Sequence, residues 1–413
     1  MKQQKIKIKK ILNKYPKIKK TLIYILFTGL PFLHFLLNNI IWSPLALLLR
    51  FFKIRFIPFG VDMIGHLAGE PDCYLKEQML KGEKNKYIEI ILAPNNKVVN
   101  MHLLNYWDKY FYIVKTPILC KILKPLSENI LIKHNIMDLF YHPHATGKPI
   151  RCYDIYSKYT EPVIKISEKD IERGNEWLRS KGVPENSWFV AMHARDSSFN
   201  PSRAEDQSFR DCDIRSYQLA INSIIDRGGW CVRVGKNRKH KLDENPRVIE
   251  SDPNGENNEW LDMFLCSRAR FFLGCTSGFL LMPTIFGTPV VQVNISPMTV
   301  FPFKQGDLGI PKLVYEKYSD RYLTFREVLQ LEIASADKTD QFEKLGLRLV
   351  DNSPKEIKDI ADEMMDLLDD SLIYNENENE YQEKLRKLLK PNHYGFGYSC
   401  RIGRKFLEDY PLF

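Results

Sequence analysis

The segments WFVAMHA (188–194), WCVRV (230–234) and RFFLGCTSGFLLMPTIFGTPVVQVN (270–294) decide the fold. Each contains a short apolar run that ends at a glycine or at polar residues, which is typical of strands buried on both faces of a parallel sheet. Helical patterns separate these runs, and the helix predicted from Ile214 is capped by Asp213. Strands that alternate with helices in this way predict an α/β architecture with a mostly parallel sheet.

An earlier block of the chain repeats the pattern. Strands are predicted at 54–59, 87–93 and 112–114, and helices near 66–81 and 98–111. The predicted fold class is therefore α/β, with two Rossmann-like domains facing a cleft. The predicted parts are a first domain at 58–185, a second at 186–345, and terminal helices at 346–413 that pack back on the first domain and are separated by the polar run NENENE (375–380).

Length, charge and cysteine content limit which classes of protein are possible. A chain of 413 residues exceeds the usual size of one hydrophobic core, and its 44% hydrophobic content indicates a folded protein. The net charge of +9 is concentrated in a basic tail, residues 1–20, which has nine Lys and no acid. The rest is close to neutral, so no nucleic-acid partner is predicted. The eight Cys form no CxxC pair, which indicates reduced core thiols in a cytosolic compartment.

Residues 21–57 form a predicted membrane-associated segment. Its part 21–49 carries no charged side chain, but Pro31, Pro44 and the pair Asn38–Asn39 interrupt it with groups that lipid cannot satisfy. Both flanks are basic, and positive charge tends to stay cytoplasmic. A re-entrant hairpin or interfacial helix pair on the cytoplasmic face of the inner (plasma) membrane is therefore predicted. The alternatives are a single span and a buried helix of a soluble domain.

Ligands of open α/β sheets bind beyond the carboxyl ends of the strands, so the loops there carry the candidate site. In the first loop, His193, Arg195 and Asp196 are predicted catalytic residues, with Arg195 clamping a phosphate and stabilising the charge of a leaving diphosphate. The alternative for Arg195 and Asp196 is an ion pair between loops. The alternative for His193 is a satisfied histidine at a strand end.

Two further loops are predicted to bind the same anion. Thr276, Ser277 and Gly278 open a short helix predicted at 279–287, whose N-terminus could bind a phosphate. Gly235 and Lys236 follow the strand at 230–234. The alternatives are a simple helix cap and a solvated basic loop.

A glycine-bearing segment of the first block, 60–66, joins a strand to a helix. Gly60, Asp62, Gly65 and His66 are predicted to face the cleft and hold the acceptor, and a plain glycine turn is the alternative. The candidate general bases are Asp62, His66, Asp196 and Glu205, with Asp196 slightly preferred. His142 and His144 lack nearby carboxylates, so no metal site is predicted. The sequence has no GxGxxG, Walker or GxSxG motif, and no cofactor is predicted.

The second block resembles a known family. The stretches VAMHARDSSF (190–199) and FLGCTSGFLLMPTIFGTPVVQVN (272–294) resemble glycosyltransferases of bacterial surface-polysaccharide gene clusters. They are more distantly similar to the fucosyltransferase-type GT-B fold, whose HxR motif matches His193-Ala194-Arg195. That resemblance implies that Arg195 contacts the β-phosphate of the donor. Asp196 stands where some fucosyltransferases have a second arginine, so GDP-fucose is not implied as the donor.

The Thr276-Ser277-Gly278 stretch resembles the helix-start diphosphate site of ADP-heptose transferases and, less closely, that of non-hydrolysing UDP-sugar epimerases. Together the resemblances imply a GT-B hexosyl- or deoxyhexosyltransferase that is metal-independent and inverting, with a nucleotide-diphosphate sugar as co-substrate. The implied partners are that sugar, a lipid-linked glycan acceptor and membrane lipids bound through residues 1–57. The alternatives are a sugar-nucleotide epimerase and a non-catalytic membrane-bound scaffold of a polysaccharide assembly complex.

Overall fold

The structure is a computed structural model that describes residues 30–140, 148–196, 204–236, 240–251, 258–296, 300–331, 333, 336 and 338–410. The basic tail, residues 21–29 of the segment predicted to associate with a membrane, His142 and His144 lie outside the described residues.

The helices are α1 (Leu30–Ile41), α2 (Ser43–Phe51), α3 (Ile64–Leu80), α4 (Met101–Trp107), α5 (Pro117–Ser127), α6 (Met137–Phe140), α7 (Cys152–Lys158), α8 (Glu168–Ser180), α9 (Ala204–Gln207), α10 (Gln218–Asp226), α11 (Glu259–Arg268), α12 (Leu281–Ile285), α13 (Phe325–Gln330), α14 (Thr339–Lys344), α15 (Pro354–Leu368), α16 (Glu376–Leu388) and α17 (Arg404–Asp409). Short 3₁₀ helices cover Ser208–Arg210, Ile214–Tyr217 and Gly278–Leu280. The strands are β1 (Ile54–Phe56), β2 (Ile88–Leu92), β3 (Tyr112–Val114), β4 (Phe189–His193), β5 (Trp230–Arg233), β6 (Val248–Glu250), β7 (Phe271–Cys275), β8 (Val290–Ile295), β9 (Leu308–Pro311), β10 (Leu313–Glu316), β11 (Arg321–Tyr322), β12 (Leu347–Val350) and β13 (Arg401–Ile402).

The contacts divide the chain into two compact units. The smaller unit comprises Met1–Pro58, Asn85–Asn96 and Phe111–Asn135, and the larger one Phe59–Lys84, Lys97–Tyr110 and Ile136–Phe413. The domain limits predicted at 58, 185 and 345, and the GT-B arrangement of two domains facing a cleft, stay predictions.

The smaller unit is built on a parallel sheet in the order β1-β2-β3, as its three predicted strands require. Its apolar core joins α2, β1, α5 and the turn after α5 through Ala46, Phe56, Leu126 and Ile132. The two asparagines that interrupt the apolar segment, Asn38 and Asn39, form hydrogen bonds that hold α1 against α5 and the turn after it. Asn38 Nδ2 donates to Pro125 O of α5 at 2.7 Å, and Asn39 Oδ1 accepts from Ile130 N at 2.8 Å.

The outer side chains of α1 and α2 are exposed. Ile40 is 68% exposed and Phe51 is 80% exposed, so these side chains lie outside the core, and the predicted membrane attachment and its alternatives stay predictions. Among the described residues, no helix combines the length and the apolar character needed to cross a membrane.

The larger unit is built on a seven-stranded sheet in the order β13-β9-β8-β7-β4-β5-β6, and every pairing in it is parallel. The predicted α/β architecture with parallel sheets is confirmed. From β4 the chain winds outward to β6, returns to place β7 on the other side of β4, and continues through β8 and β9. The order therefore reverses between β4 and β7, which is the point at which doubly wound sheets form a ligand crevice.

Side-chain burial explains why these strands are central. Every residue of β7 and of β8 is buried, and so are all but the last residue of β4. Helices therefore cover both faces, and α15 packs on α10. The sequence predicts that the terminal helices pack on residues 58–185, whereas α15 contacts α10, α17, β8 and β9. The eight cysteines are free and buried, as predicted.

The prediction that NENENE (375–380) separates two helices is wrong, because α16 begins inside that run. Asn375 Oδ1 accepts from Glu378 N at 3.0 Å, and Glu378 Oε2 accepts from Asn375 N at 2.7 Å. This reciprocal capping box starts the helix in spite of its polar composition. A small antiparallel sheet, β11-β10-β12, was not predicted from the sequence.

Candidate active site

A pocket of about 570 Å³ lies in the larger unit at the carboxyl ends of β4, β5 and β7, with Gln292 of β8 also in its wall. This volume is in the range of small-ligand sites. Its wall contains ten of the predicted site residues, which are His193, Arg195, Asp196, Gly235, Lys236, Thr276, Ser277, Gly278, Gly65 and His66. The reversal of strand order thus brings the three predicted loops together. Gly60, Asp62 and Glu205 are not among the lining residues.

Arg195 is held in the wall of the pocket by its backbone and its side chain. Its N–H donates to Cys275 Sγ at 3.1 Å, and its Nη1 donates to Gln207 O at 3.2 Å and to the carboxylate of Asp211. The ion pair considered as an alternative is therefore present, but its partner is Asp211 and not Asp196. The Arg195 side chain keeps 15% exposure, so it is available to a ligand on one side only.

Arg210 is a second guanidinium in the same wall, and the sequence did not indicate it. Its Nη1 donates to Gln207 Oε1 and its Nε donates to Thr276 O, both at 3.4 Å. Burial lowers the pKa of Arg210 to about 10, and the positive charge of Arg195 acts in the same direction. Within the described part of the chain, no carboxylate forms an ion pair with Arg210. Two guanidinium groups on either side of Gln207 therefore give the pocket a local excess of positive charge.

His193 is fixed by packing. Its ring stacks on Phe279 with centroids 4.8 Å apart, and its Nδ1 lies 3.3 Å from Val234 O. Gly235 has φ +90°, and a Cβ there would lie 2.8 Å from His193 Nδ1, so a side chain is excluded at this position. This geometry fits the alternative in which His193 is a packed, hydrogen-bonded histidine at the end of a strand.

The loop 276–278 is also ordered by its own side chains. Thr276 Oγ1 accepts from Gln292 Nε2 at 2.9 Å and from Ser296 N at 3.0 Å, and Ser277 Oγ accepts from Phe279 N at 3.2 Å. The helix predicted at 279–287 is a 3₁₀ turn at Gly278–Leu280 followed by the five-residue α12. A short helix supplies little dipole, so the arginines and Lys236 carry most of the positive charge.

Gly65 and Gly278 bring α3 against this loop. A Cβ on Gly65 would lie 2.8 Å from Gly278 Cα, and a Cβ on Gly278 would lie 3.1 Å from Gly65 N. Close backbone packing therefore explains both glycines. It places the first turn of α3, with His66, at the wall of the pocket.

His66 and Glu70 form a dyad on one face of α3. His66 Nδ1 lies 2.6 Å from Glu70 Oε1, and Glu70 Oε2 accepts from Gly60 N at 2.8 Å. Burial alone lowers the pKa of His66, but the hydrogen bond and charge of Glu70 and the charge of Asp62 outweigh it, so the pKa is raised above 6.5. A histidine oriented by a buried carboxylate is a typical general base.

Carboxylates on the opposite wall were also missed by the sequence analysis. Glu259 Oε2 accepts from Met101 N at 2.7 Å, and Asp262 Oδ1 accepts from Gly235 N at 3.2 Å. Both belong to the first turn of α11, which gives this wall negative charge and hydrogen-bond acceptors. In the ranges that the structure describes, no three His, Cys, Asp or Glu side chains are grouped as metal ligands.

No protein-family model matches the sequence, and a search of the curated proteins found no match.

Solved structures give distant similarities. The chain is similar to a family 9 glycosyl transferase from Veillonella parvula, with 10% identity, a TM-score of 0.46, and coverage of 76% of this chain and 97% of that one. It is similar to the ADP-heptose lipopolysaccharide heptosyltransferase II of E. coli, with 13% identity, a TM-score of 0.41, and coverage of 62% and 90%. The chain is thus similar to solved structures of a heptosyltransferase and a family 9 glycosyl transferase, and these TM-scores are too low to show a shared fold or reaction.

Proposed function

We propose that this protein is a glycosyltransferase that moves a sugar from a nucleotide-diphosphate sugar to a glycan acceptor. The observation that carries the proposal is the pair Arg195 and Arg210, bridged by Gln207, beside Lys236 in one pocket at the strand-order reversal. Arg210 is half-buried and forms no ion pair with a described carboxylate, so a ligand that compensates its charge would stabilise it. A diphosphate supplies two negative charges and a planar arginine binds its oxygens bidentately.

The geometry supports a division of roles in the transfer. The oxygen of an acceptor hydroxyl forms a bond to the anomeric carbon while its proton passes to His66. The bond from that carbon to the diphosphate oxygen breaks, and the leaving nucleoside diphosphate keeps the electron pair. The arginines stabilise its developing charge. His66 is preferred to Asp62 and Glu205, which do not line the pocket, and its pairing with Glu70 favours it over Asp196.

The setting of the reaction is part of the proposal. Residues 1–57 attach the protein to the cytoplasmic face of the inner membrane, where a lipid-linked glycan of surface polysaccharide synthesis is the acceptor. Transfer is metal-independent and needs no cofactor besides the sugar donor. The exposed apolar residues of α1 and α2 support attachment, because a soluble substrate would not require them.

Nucleotide binding tests the donor site. We expect one series among GDP-, UDP- and ADP-sugars to raise the melting temperature of the full-length protein, since a ligand at about 100 times its Kd stabilises a fold by about 2.7 kcal/mol. A CMP-sugar has a single phosphate and is the control for the diphosphate. Arg195→Ala should lose the shift, and a wild-type protein that no nucleotide stabilises would contradict the proposal.

Product analysis separates the rival functions. An epimerase converts the stabilising nucleotide sugar without any acceptor, whereas a glycosyltransferase releases nucleoside diphosphate only when an acceptor is present. A scaffold does neither.

The pH profile tests the base. Because His66 must be neutral to accept a proton and its pKa is raised, we expect kcat/KM to increase with pH through a value above 6.5. Glu70→Gln removes the charge that raises this pKa, so the acid limb should move to lower pH. His66→Gln should reduce kcat by about 10²–10⁴-fold.

His102→Gln is the matched control for the base. His102 Nε2 lies 2.9 Å from Asp170 Oδ2, an equivalent dyad, but it does not line the pocket. Its replacement should leave kcat unchanged. An unshifted profile in Glu70→Gln would show that His66 is not the base.

A further inference from the structure

Helix α5 presents an apolar face that no described residue covers. Ile118 is 71% exposed, Ile122 is 57% exposed and Leu119 is 49% exposed. Other positions of the helix are packed, since Cys120 and Leu126 are buried and Leu123 contacts the core of the smaller unit. The apolar side chains therefore extend from the packed side of the helix onto its exposed side, beyond what covering a core requires.

This face continues the exposed surface of α1 and α2. Asn38 and Asn39 bond α1 to α5 and to the turn that follows it, and Ala46 of α2 shares a core with Leu126 of α5. Most of the exposed large apolar side chains of the described chain lie in the smaller unit, although that unit is much the shorter of the two. The three helices thus form one platform rather than separate features.

The charge around the platform identifies its partner. Among the described residues of the smaller unit, the basic ones are Arg50, Lys53, Arg55, Lys86, Lys115, Lys121, Lys124 and Lys133, and the acidic ones are Glu89 and Glu128. Lys121 and Lys124 are exposed, and Lys121 lies three residues after Ile118, on the neighbouring turn of α5. Apolar side chains bordered by lysines suit the boundary between acyl chains and anionic headgroups.

We propose that α5 is a membrane-binding helix, which lies with α1 and α2 in the plane of an anionic lipid bilayer and inserts Ile118, Leu119 and Ile122 among the acyl chains. The inference rests on the membrane attachment proposed above and is independent of sugar transfer. It extends that attachment from the first 57 residues to a helix inside the sheet-bearing unit. Attachment through several helices of one rigid core fixes the orientation of that unit on the surface.

Fluorescence at single sites tests the insertion directly. The full-length protein carries an environment-sensitive fluorophore on Ile122→Cys, and its eight native cysteines are buried and so protected from labelling. On vesicles with anionic lipid we expect a blue-shifted emission that acyl-chain nitroxides quench. The matched control is Ile373→Cys, at an 87% exposed isoleucine of the larger unit, whose label should stay in water.

Partitioning tests the contribution of the face. Ile118→Glu with Ile122→Glu should lower the vesicle partition coefficient by about tenfold or more, and Ile373→Glu should leave it unchanged. Lys121→Ser with Lys124→Ser should remove much of the dependence on anionic lipid and on salt. A label at residue 122 that stays aqueous on vesicle-bound protein would overturn the proposal.

Two further outcomes identify the cause of a failure. If the two glutamates dissociate a dimer while vesicle binding persists, the face contacts a second copy of the chain and the proposal is wrong. If the label inserts but no nucleotide sugar stabilises the protein, membrane docking stands and the proposed glycosyl transfer fails.

Discussion

Replacing Arg210 by alanine should abolish most turnover and leave the fold at least as stable as before. Removing one preorganised donor to a developing negative charge typically reduces kcat by about 10²–10³-fold, or about 2.7–4 kcal/mol. Arg210 is half-buried beside a second cation, and both its desolvation and the charge of Arg195 lower its pKa. Replacing it therefore removes the cost of desolvating one cation and the repulsion between Arg195 and Arg210 in the ligand-free protein. The measurements are initial rates with a donor that binds and the melting temperature without ligand.

The opposite signs of the two effects make this prediction specific. A structural arginine would give lost stability, with activity falling only as the protein unfolds. Arg215→Ala is the matched control, since Arg215 follows at the next turn, is 63% exposed and pairs with Asp213. It should change neither quantity. An active and destabilised Arg210→Ala protein would rule out a role in binding the leaving group.

Lys76→Met should destabilise the larger unit by about 3–5 kcal/mol, which is the usual effect of removing one partner of a buried ion pair. Lys76 is 1% exposed and lies 3.8 Å from Asp72, which is fully buried. Its Nζ also donates to Glu161 O at 2.7 Å and to Tyr159 O at 3.2 Å. Methionine has similar bulk but supplies neither the charge nor the donors. Urea unfolding measures the loss.

The loss should depend on pH. Burial raises the pKa of Asp72 to about 7, against the opposing effect of the Lys76 charge. A raised folded pKa means that the stability linked to this carboxyl is present at low pH and is lost as pH rises through that pKa. Without Lys76 the pKa of Asp72 is higher still, so the variant should be least impaired near pH 5 and most impaired above pH 7.

Two variants control this experiment. Adding Asp72→Asn to Lys76→Met removes the uncompensated carboxylate and should restore part of the stability. Lys81→Met removes a pair with the same four-residue spacing on the same helix, Glu77–Lys81 at 2.9 Å, but Lys81 is 51% exposed. Lys81→Met should lower the free energy of unfolding by about 0.5 kcal/mol or less. Equal losses in Lys76→Met and Lys81→Met would contradict the account.

The sequence predicted most of the central sheet because its strands are buried on both faces, which leaves an unbroken apolar run in the chain. It also predicted which loops meet, since the rule that ligands bind at carboxyl ends depends only on strand direction. It failed where local pattern and structure disagree. Helix α16 starts in a polar run because two side chains cap it, and β10 and β12 are short strands without clear alternation.

The site was predicted less completely than the fold, for a physical reason. Arg195 follows the predicted strand, so its position could be inferred, whereas Arg210 ends the short 3₁₀ helix Ser208–Arg210, which tertiary contacts place at the pocket. Glu70 was missed because its role depends on the helical register that brings it to His66. Gly65 and Gly278 were correctly placed near the pocket. Both positions need glycine because their backbones are in contact, and a sequence pattern does not reveal such a contact.

The contact between Gly65 and Gly278 sets the distance between two parts of the candidate site. The helix that carries the proposed base and the loop beside the arginines meet at these two glycines, where a Cβ on Gly65 would lie 2.8 Å from Gly278 Cα and one on Gly278 would lie 3.1 Å from Gly65 N. In the proposed transfer, the spacing between proton acceptor and leaving group is thus set largely by main-chain geometry, and side-chain changes elsewhere in the pocket can change the sugar or the nucleobase without altering it. Specificity can diversify in such a scaffold while the dimensions needed for transfer are inherited unchanged.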